Sequence, residues 1–338
     1  MAGIVNIGII GAGRIGKVHA RTVAYRIPAA KILAIADIDL PAAQQLAAHL
    51  SIPVATADYH AVLGDPQIQA VFICSATNTH AQFIEEAARA GKHIFCEKPI
   101  ALNLKDIDSA LEVVEQAGVK LQVGFNRRFD ANFARVRHAV ASGEIGRPAL
   151  LHIISRDPAP PPIAYVKVSG GMFLDMTIHD FDMARFLIGA EVEEVYTQAA
   201  VTVDPAIGEA GDVDTAVVML KFANGAIGTI DNCRRASYGY DQRVEVLGSK
   251  GSIATTNNYP NAAVVSDGDS VRRDLPLNFF MDRYTESFAT EVAAFVDAVA
   301  NDGLVPVTGR DARFPVVMGL AAMKSYREGR PVKLSEIG

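Results

Sequence analysis

Asp175 and His179 stand four residues apart in the stretch Gly170-Gly171-Met172-Phe173-Leu174-Asp175-Met176-Thr177-Ile178-His179-Asp180. On a helix, or at the start of one, that spacing puts both side chains on one face. A carboxylate beside an imidazole raises its basicity and fixes its orientation, which suits a general base acting on an alcohol. A helix-start aspartate and a packed histidine would show the same spacing, so the pair needs support from elsewhere in the chain. Lys98, in Glu97-Lys98-Pro99, offers a cation on a turn stiffened by Pro99. His179, Asp180 and Asp182 suggest a metal cluster by composition, but the two carboxylates diverge from the imidazole around a helix, and no metal is expected.

A second chemistry is written near the N-terminus. Gly11-Ala12-Gly13-Arg14-Ile15-Gly16 follows an apolar run and opens a helical pattern, the context that G-x-G-x-x-G requires. Gly11 makes the tight turn, Gly13 lets the backbone approach a pyrophosphate, and Gly16 permits close packing of helix on strand. The helix N-terminus adds amides and partial positive charge for the phosphates. Asp37 ends the next apolar run, 21 residues beyond Gly16, where a ribose-binding carboxylate belongs. It would repel a 2′-phosphate, and no Arg or Lys follows within Ile38, Asp39 and Leu40, so NAD is favoured over NADP. Arg14 is a candidate pyrophosphate partner.

These residues must be held by two kinds of architecture. Strand candidates Val5 to Ile10, Ile32 to Ala36, Ala70 to Cys74, His93 to Cys96 and Leu121 to Gly124 alternate with helix candidates Gly16 to Tyr25, Pro41 to Leu50, Ala81 to Ala90 and Leu104 to Ala117. That alternation predicts a Rossmann-type, doubly wound parallel sheet, whose strand carboxyl ends face the ligand crevice and so present Lys98 there. After a helix from Ala131 to Ser142 the pattern turns β-rich: Ala149 to Ser155, Val192 to Val201, Thr215 to Phe222, Ala226 to Cys233, Gln242 to Val246 and Ser252 to Thr255. Turns such as Asn224-Gly225 make an α+β domain with a large, mainly antiparallel open sheet the expectation. Helices follow at Ser287 to Ala300 and Arg310 to Tyr326, and Pro158 to Pro162 reads as a stiff loop. The expected division is 1–124 for the dinucleotide domain and 125–338 for the second, with the final helix from about 310 able to pack back on the first.

The 338 residues are ample for two such domains. With half of them hydrophobic and 21% charged, a sizeable core is expected rather than disorder. A net charge of −6, with no basic run longer than a pair such as Arg127-Arg128 or Arg234-Arg235, disfavours nucleic acid and anionic membrane as partners. Cys74, Cys96 and Cys233 are odd in number and widely spaced, which fits neither a disulfide framework nor a thiolate zinc site. No apolar stretch reaches membrane-spanning length and no signal-peptide layout precedes Val5, so a soluble cytoplasmic protein is expected.

Taken in order, the glycine loop, Thr77-Asn78-Thr79-His80, Glu97-Lys98-Pro99 and the Asp175 to His179 segment resemble the Gfo/Idh/MocA oxidoreductases over essentially the whole chain. Within that family, four longer stretches resemble those of bacterial inositol 2-dehydrogenases: Gly124 to Asp130, Ser155 to Pro160, Asp175 to Phe186 and Ser237 to Arg243. The resemblance implies NAD-dependent oxidation of an inositol, foremost myo-inositol to the 2-ketone, with Lys98, Asp175 and His179 as catalytic trio. It places Gly11, Gly13, Arg14, Ile15, Gly16, Asp37, Thr77, Asn78, His80, Glu97 and Lys98 at the cofactor. Because a polyol carries hydroxyls around its rim, several convergent polar groups are needed, and Asn126, Arg127, Asp157 and Tyr240 are the candidates. Tyr238 shares a strand face with Tyr240 by two-residue alternation, and Arg127 has the cofactor as an alternative contact.

Some inositol dehydrogenases of the family carry His where this chain has Ser155 and Asn near Asp157, so the isomer stays open. Another inositol, a rhizopine or an aldose is the alternative substrate. Transfer between two sugars on a tightly held cofactor ranks lower, as does a dinucleotide-sensing regulator, which the complete trio disfavours. The resemblance also implies a homotetramer packed through the open sheet faces. With Lys98 in the first domain and the other two groups in the second, the active site is expected in the cleft between them.

Overall fold

The computed structural model describes residues 3–338, and they fall into two compact units. The first comprises the chain to Phe129 together with Glu286–Val316; the second comprises Asp130–Thr285 and Val317–Gly338. The second unit is not the unbroken domain from 125 to 338 that the sequence pattern predicts, because the segment from Glu286 to Val316 belongs with the first unit. Helix Thr285–Ala300 explains this, since its Val292, Phe295 and Val296 lie in the same buried cluster as Ile7, Ile9, Ile35, Phe72 and Phe95. Apolar residues on one helix face go where the matching apolar surface is, irrespective of chain order.

In the first unit a six-stranded parallel sheet runs in the order β3-β2-β1-β4-β5-β6. Its strands are β1 (Val5–Ile10), β2 (Ala30–Ala36), β3 (Val54–Thr56), β4 (Ala70–Ile73), β5 (His93–Glu97) and β6 (Leu121–Gly124). Helices α1 (Arg14–Arg26), α2 (Leu40–Leu50), α3 (Tyr59–Leu63), α4 (Thr77–Arg89) and α5 (Leu104–Ala117) connect them. The strand order reverses between β1 and β4, and a ligand of such a sheet binds at that switch point, outside the strand carboxyl ends. β4 is buried at all four residues, as a sheet covered on both faces requires. Gly118 ends α5 in a left-handed C-cap.

The second unit is built on a seven-stranded mixed sheet, in the order β12-β11-β7-β10-β9-β8-β15. The strands are β7 (Pro148–Arg156), β8 (Val192–Ala200), β9 (Thr215–Phe222), β10 (Ile227–Cys233), β11 (Asp241–Gly248), β12 (Gly251–Ala254) and β15 (Val332–Lys333). β13 (Val264–Ser266) and β14 (Val271–Arg273) form a separate hairpin. All pairings in the large sheet are antiparallel except β7 with β10. Helices α6 (Ala131–Ala141) and α8 (Thr177–Ile188) pack together, and α8 lies on β7 and β10; the short α7 (Ile163–Val166) follows the proline segment. Along β9 the residues alternate buried and exposed, so the face away from α8 is open. Among the described residues no helix is long and apolar enough to cross a membrane.

Candidate active site

The carboxyl edge of the parallel sheet gathers the cofactor candidates. Gly11 takes φ +109, and a Cβ there would sit 2.6 Å from the Cys74 carbonyl. At Gly16 a Cβ would come within 2.0 Å of the Gly11 oxygen, so helix and loop meet only because neither has a side chain. Gly13 is different. It is the N-cap of α1 with ordinary extended backbone, and a Cβ would meet no protein atom within 4 Å. The space in front of Gly13 and the first amides of α1 is a cradle that a side chain would intrude on and a pyrophosphate fits.

Asp37, past the end of β2, ties this loop to the next strand. Its Oδ2 accepts from the Ala12 amide at 2.5 Å and its Oδ1 from the Asp39 amide at 2.8 Å. The carboxylate is therefore oriented before any ligand arrives, half-buried at the loop where a ribose would lie. Arg14 and Ile15 form the first turn of α1.

Thr77 and Asn78 open α4, which starts four residues earlier than the sequence pattern placed it, because polar residues suit a helix start better than its middle. His80 is buried, with Nδ1 2.8 Å from the Pro99 oxygen and Nε2 3.1 Å from the Ser75 oxygen. Burial pushes its pKa down, against the pull of those two carbonyls. Its nitrogens thus engage backbone, and it clamps the β4 loop to the turn that carries Lys98. Glu97 also faces inward: its Oε1 meets Nε2 of the fully buried His19 at 2.6 Å. Lys98, partly exposed, begins the turn after β5, and its peptide to Pro99 is cis. Asn126 and Arg127, both buried, lie on the turn Asn126–Phe129 directly after β6, at the same carboxyl edge.

Within the second unit, Gly170 and Gly171 adopt φ of +90 and +73 and lead into a π-helical turn, Met172–Met176, that continues as α8. A Cβ on Gly171 would lie 2.7 Å from Asp212 Oδ1, and both Asp212 oxygens accept from the Met172 amide. π turns concentrate at functional sites, and here the turn carries Asp175. From Met172 to Ala184 every residue is buried except two, Asp175 and His179. The segment is core on all sides but one, and that side presents one carboxylate and one imidazole.

Asp175 is held from two directions. Tyr165 of α7 donates its hydroxyl to Oδ1 at 2.9 Å, and Nη1 of the buried Arg234 stands 3.6 Å from Oδ2. Neither Tyr165 nor Arg234 was singled out as a site residue from sequence; the one signal was the Arg234-Arg235 pair, which reads as a surface feature. The composition-based metal cluster does not assemble, since Asp180 turns into the sheet and accepts from Asn232 Nδ2 at 2.9 Å. Among the described residues no group of three or more His, Cys, Asp and Glu side chains could hold a metal ion.

Asp157 follows β7, its backbone paired with Cys233 and Ala236. Ser155 is fully buried and bonded to the Gln242 amide. Tyr240 is buried, edge-on to Tyr284 at 6.1 Å. The strand alternation expected for Tyr238 and Tyr240 does not hold: Gly239, at φ +126, turns the chain there, and β11 starts only at Asp241. Tyr238 instead donates to Asp241 Oδ2 at 2.5 Å. Burial acts to raise the Asp241 pKa, but bonds from Arg243, Tyr238 and Asn257 outweigh it and hold the carboxylate below its ordinary value. Burial pushes the Cys74 and Cys96 thiols well up, which leaves them protonated and unreactive.

Comparison with known proteins agrees with the two-part fold. The model described as an oxidoreductase family with NAD-binding Rossmann fold matches residues 5–125, and the GFO/IDH/MocA C-terminal domain matches residues 133–254. The chain is 51% identical to the Bacillus subtilis uncharacterized oxidoreductase YrbE, covering 97% of this chain and 96% of that one. It is 49% identical to myo-inositol 2-dehydrogenase of Thermotoga maritima, over 98% and 99% of the two chains. The crystal structure of scyllo-inositol dehydrogenase from Lactobacillus casei, with bound NAD(H) and scyllo-inositol, superposes with a TM-score of 0.92 at 30% identity, over 98% and 99%.

Proposed function

The chain belongs to the GFO/IDH/MocA oxidoreductase family, and from that premise we infer that it is an NAD-dependent inositol 2-dehydrogenase, oxidising myo-inositol to 2-keto-myo-inositol (scyllo-inosose). What carries the chemistry is the pair Asp175 and His179, the only side chains of a buried thirteen-residue segment that reach the surface of their unit. NAD, when bound, supplies the hydride acceptor. In our reading His179 takes the proton of the reacting hydroxyl as general base, and Asp175 orients the imidazole. Lys98 donates to the same oxygen and stabilises the charge that develops on it.

The cofactor is held by the glycine loop, with Gly13 opposite the pyrophosphate, Arg14 and Ile15 in the first helical turn, and Asp37 accepting from the ribose hydroxyls. Thr77 and Asn78 line the same edge, and Glu97 stands at the end of β5 there with its carboxylate turned inward onto His19. Asn126, Arg127, Asp157 and Tyr240 are proposed to read the polyol rim. Ser155 gives its hydroxyl to Gln242 instead, which supports leaving it out of that set. We also place the enzyme in the cytoplasm, in keeping with three free cysteines, and as a homotetramer joined through the open sheet faces.

NADH formation measured with a panel of inositol isomers and aldoses, each with NAD and with NADP, tests the reading. The expected result is turnover of myo-inositol with NAD. Turnover of glucose alone, with none of any inositol, would overturn the substrate, and equal use of NADP would overturn the role of Asp37.

A further inference from the structure

Arg234 is a guanidinium with 1% of its surface exposed, a placement that is unfavourable unless the charge is compensated. Its compensation is unusual. Two carboxylates flank it, Asp175 Oδ2 at 3.6 Å from Nη1 and Asp212 Oδ2 at 3.8 Å from Nη2. Both distances exceed a hydrogen bond, and Nε and Nη2 donate to no protein acceptor. The backbone holds the residue firmly, with its amide donating to the Asp214 oxygen just past the end of β10. The guanidinium is thus fixed by its strand and placed between two negative charges.

Both charges bear on the turn that carries Asp175. Asp212 accepts from the Met172 amide with both oxygens and so pins the start of the π turn; Asp175 projects from the same turn three residues on. Tyr165 fixes the other oxygen of Asp175. We propose that Arg234 is a positioning residue for the dehydrogenase reaction: a buried cation that ties Asp175 to the anchor of its own turn, fixing the carboxylate that orients His179. The inference rests on the reading of Asp175 and His179 as the base pair.

Arg234 acts on the reaction only through Asp175, and this makes it separable from a residue that merely holds the fold. A misoriented catalytic group costs up to about 10²-fold in rate, so Arg234→Met is expected to lower kcat for myo-inositol by about 10- to 100-fold. The KM should change little, and the NADH Kd, read by fluorescence titration, should not change. Arg234→Lys keeps the charge without the fork and should recover part of the loss. The decisive measurement is the cycle with Asp175→Asn: in that background Arg234→Met should cost little further, since the group it positions is already disabled.

A full loss of kcat from Arg234→Met in the Asp175→Asn background, or wild-type kcat in Arg234→Met, overturns the proposal while leaving the Asp175 and His179 assignment standing. Wild-type kcat in Asp175→Asn overturns both. Should Arg234→Met fail to fold, the same cycle is run with Arg234→Lys; its smaller loss must disappear beside Asp175→Asn, and persistence of that loss overturns the proposal.

Discussion

At the scale of single residues the chain separates groups that react from groups that only resemble them. His179 reaches the surface of its unit and His80 and His19 do not, so three imidazoles of similar intrinsic basicity receive three duties. His179→Ala is expected to lower kcat by ~10²–10⁴, as loss of a general base does, with the NADH Kd unchanged; near-normal turnover would refute the mechanism. Glu291 is the opposite case. It is fully buried, neither carboxyl oxygen has a hydrogen-bond partner, and burial, aided by the Glu97 charge, raises its pKa well above the ordinary carboxyl value. The folded chain therefore keeps a proton that the unfolded chain releases above about pH 4.5, and the contribution of this group to stability falls as pH rises beyond that point. Glu291→Gln removes this penalty at constant shape. Its Tm should exceed that of the wild type by more at pH 8 than at pH 5, with roughly 2–4 °C for each kcal/mol recovered. A wild-type dependence of Tm on pH in the variant would show that Glu291 is ionised in the fold.

At the scale of elements, the glycine loop shows how one motif divides its labour. Gly13→Ala places a methyl where no protein atom lies within 4 Å, so its Tm should stay within about 1 °C of wild type while NADH binding weakens. Gly16→Ala drives a Cβ to within 2.0 Å of the Gly11 oxygen and should lower Tm by several degrees. Unchanged NADH affinity in Gly13→Ala would count against the cradle. The motif, its strand and Asp37 were all readable from sequence because they are local: an apolar run, a turn that only glycine permits, and a fixed distance to the next strand. β1, β6, α5 and β9 have the limits their patterns predicted for the same reason. What escaped was either short or nonlocal. Val54–Thr56 is too brief to show a period, and the π turn at Met172 depends on Asp212, forty residues away in the chain. Arg234 looked like half of a surface pair because nothing in its neighbours announces Asp175 or Asp212. The two tyrosines were given a strand that Gly239 breaks.

At the scale of the whole molecule, the open face of the seven-stranded sheet calls for an occupant. On its inner face α8 packs against β7 and β10, while the other face carries Val217 and Met219 on β9, Ile227 on β10 and Leu247 on β11, each more than two-fifths exposed. Register places them together, with Leu247, Leu150, Ile227 and Lys221 in one row across four strands and Met219 beside Thr229 in the next. The same face also carries His152, Asp231, Arg243 and Glu245 among its polar residues, a mixture of both signs that can meet its own copy without net repulsion. Apolar patches rimmed by such groups mark interaction sites, and a sheet face related to its copy by a two-fold axis satisfies the pattern with one surface. One such face joins two copies; if the chain is the homotetramer proposed above, it is expected to sediment as a tetramer at micromolar concentration with this face as one of its interfaces. Met219→Glu combined with Val217→Glu puts two like charges from each copy against their counterparts and should shift the chain to smaller species, with NADH affinity unchanged because the cofactor edge belongs to the other unit. A wild-type monomer, or a tetramer indifferent to both substitutions, would show that this face is not where the copies meet.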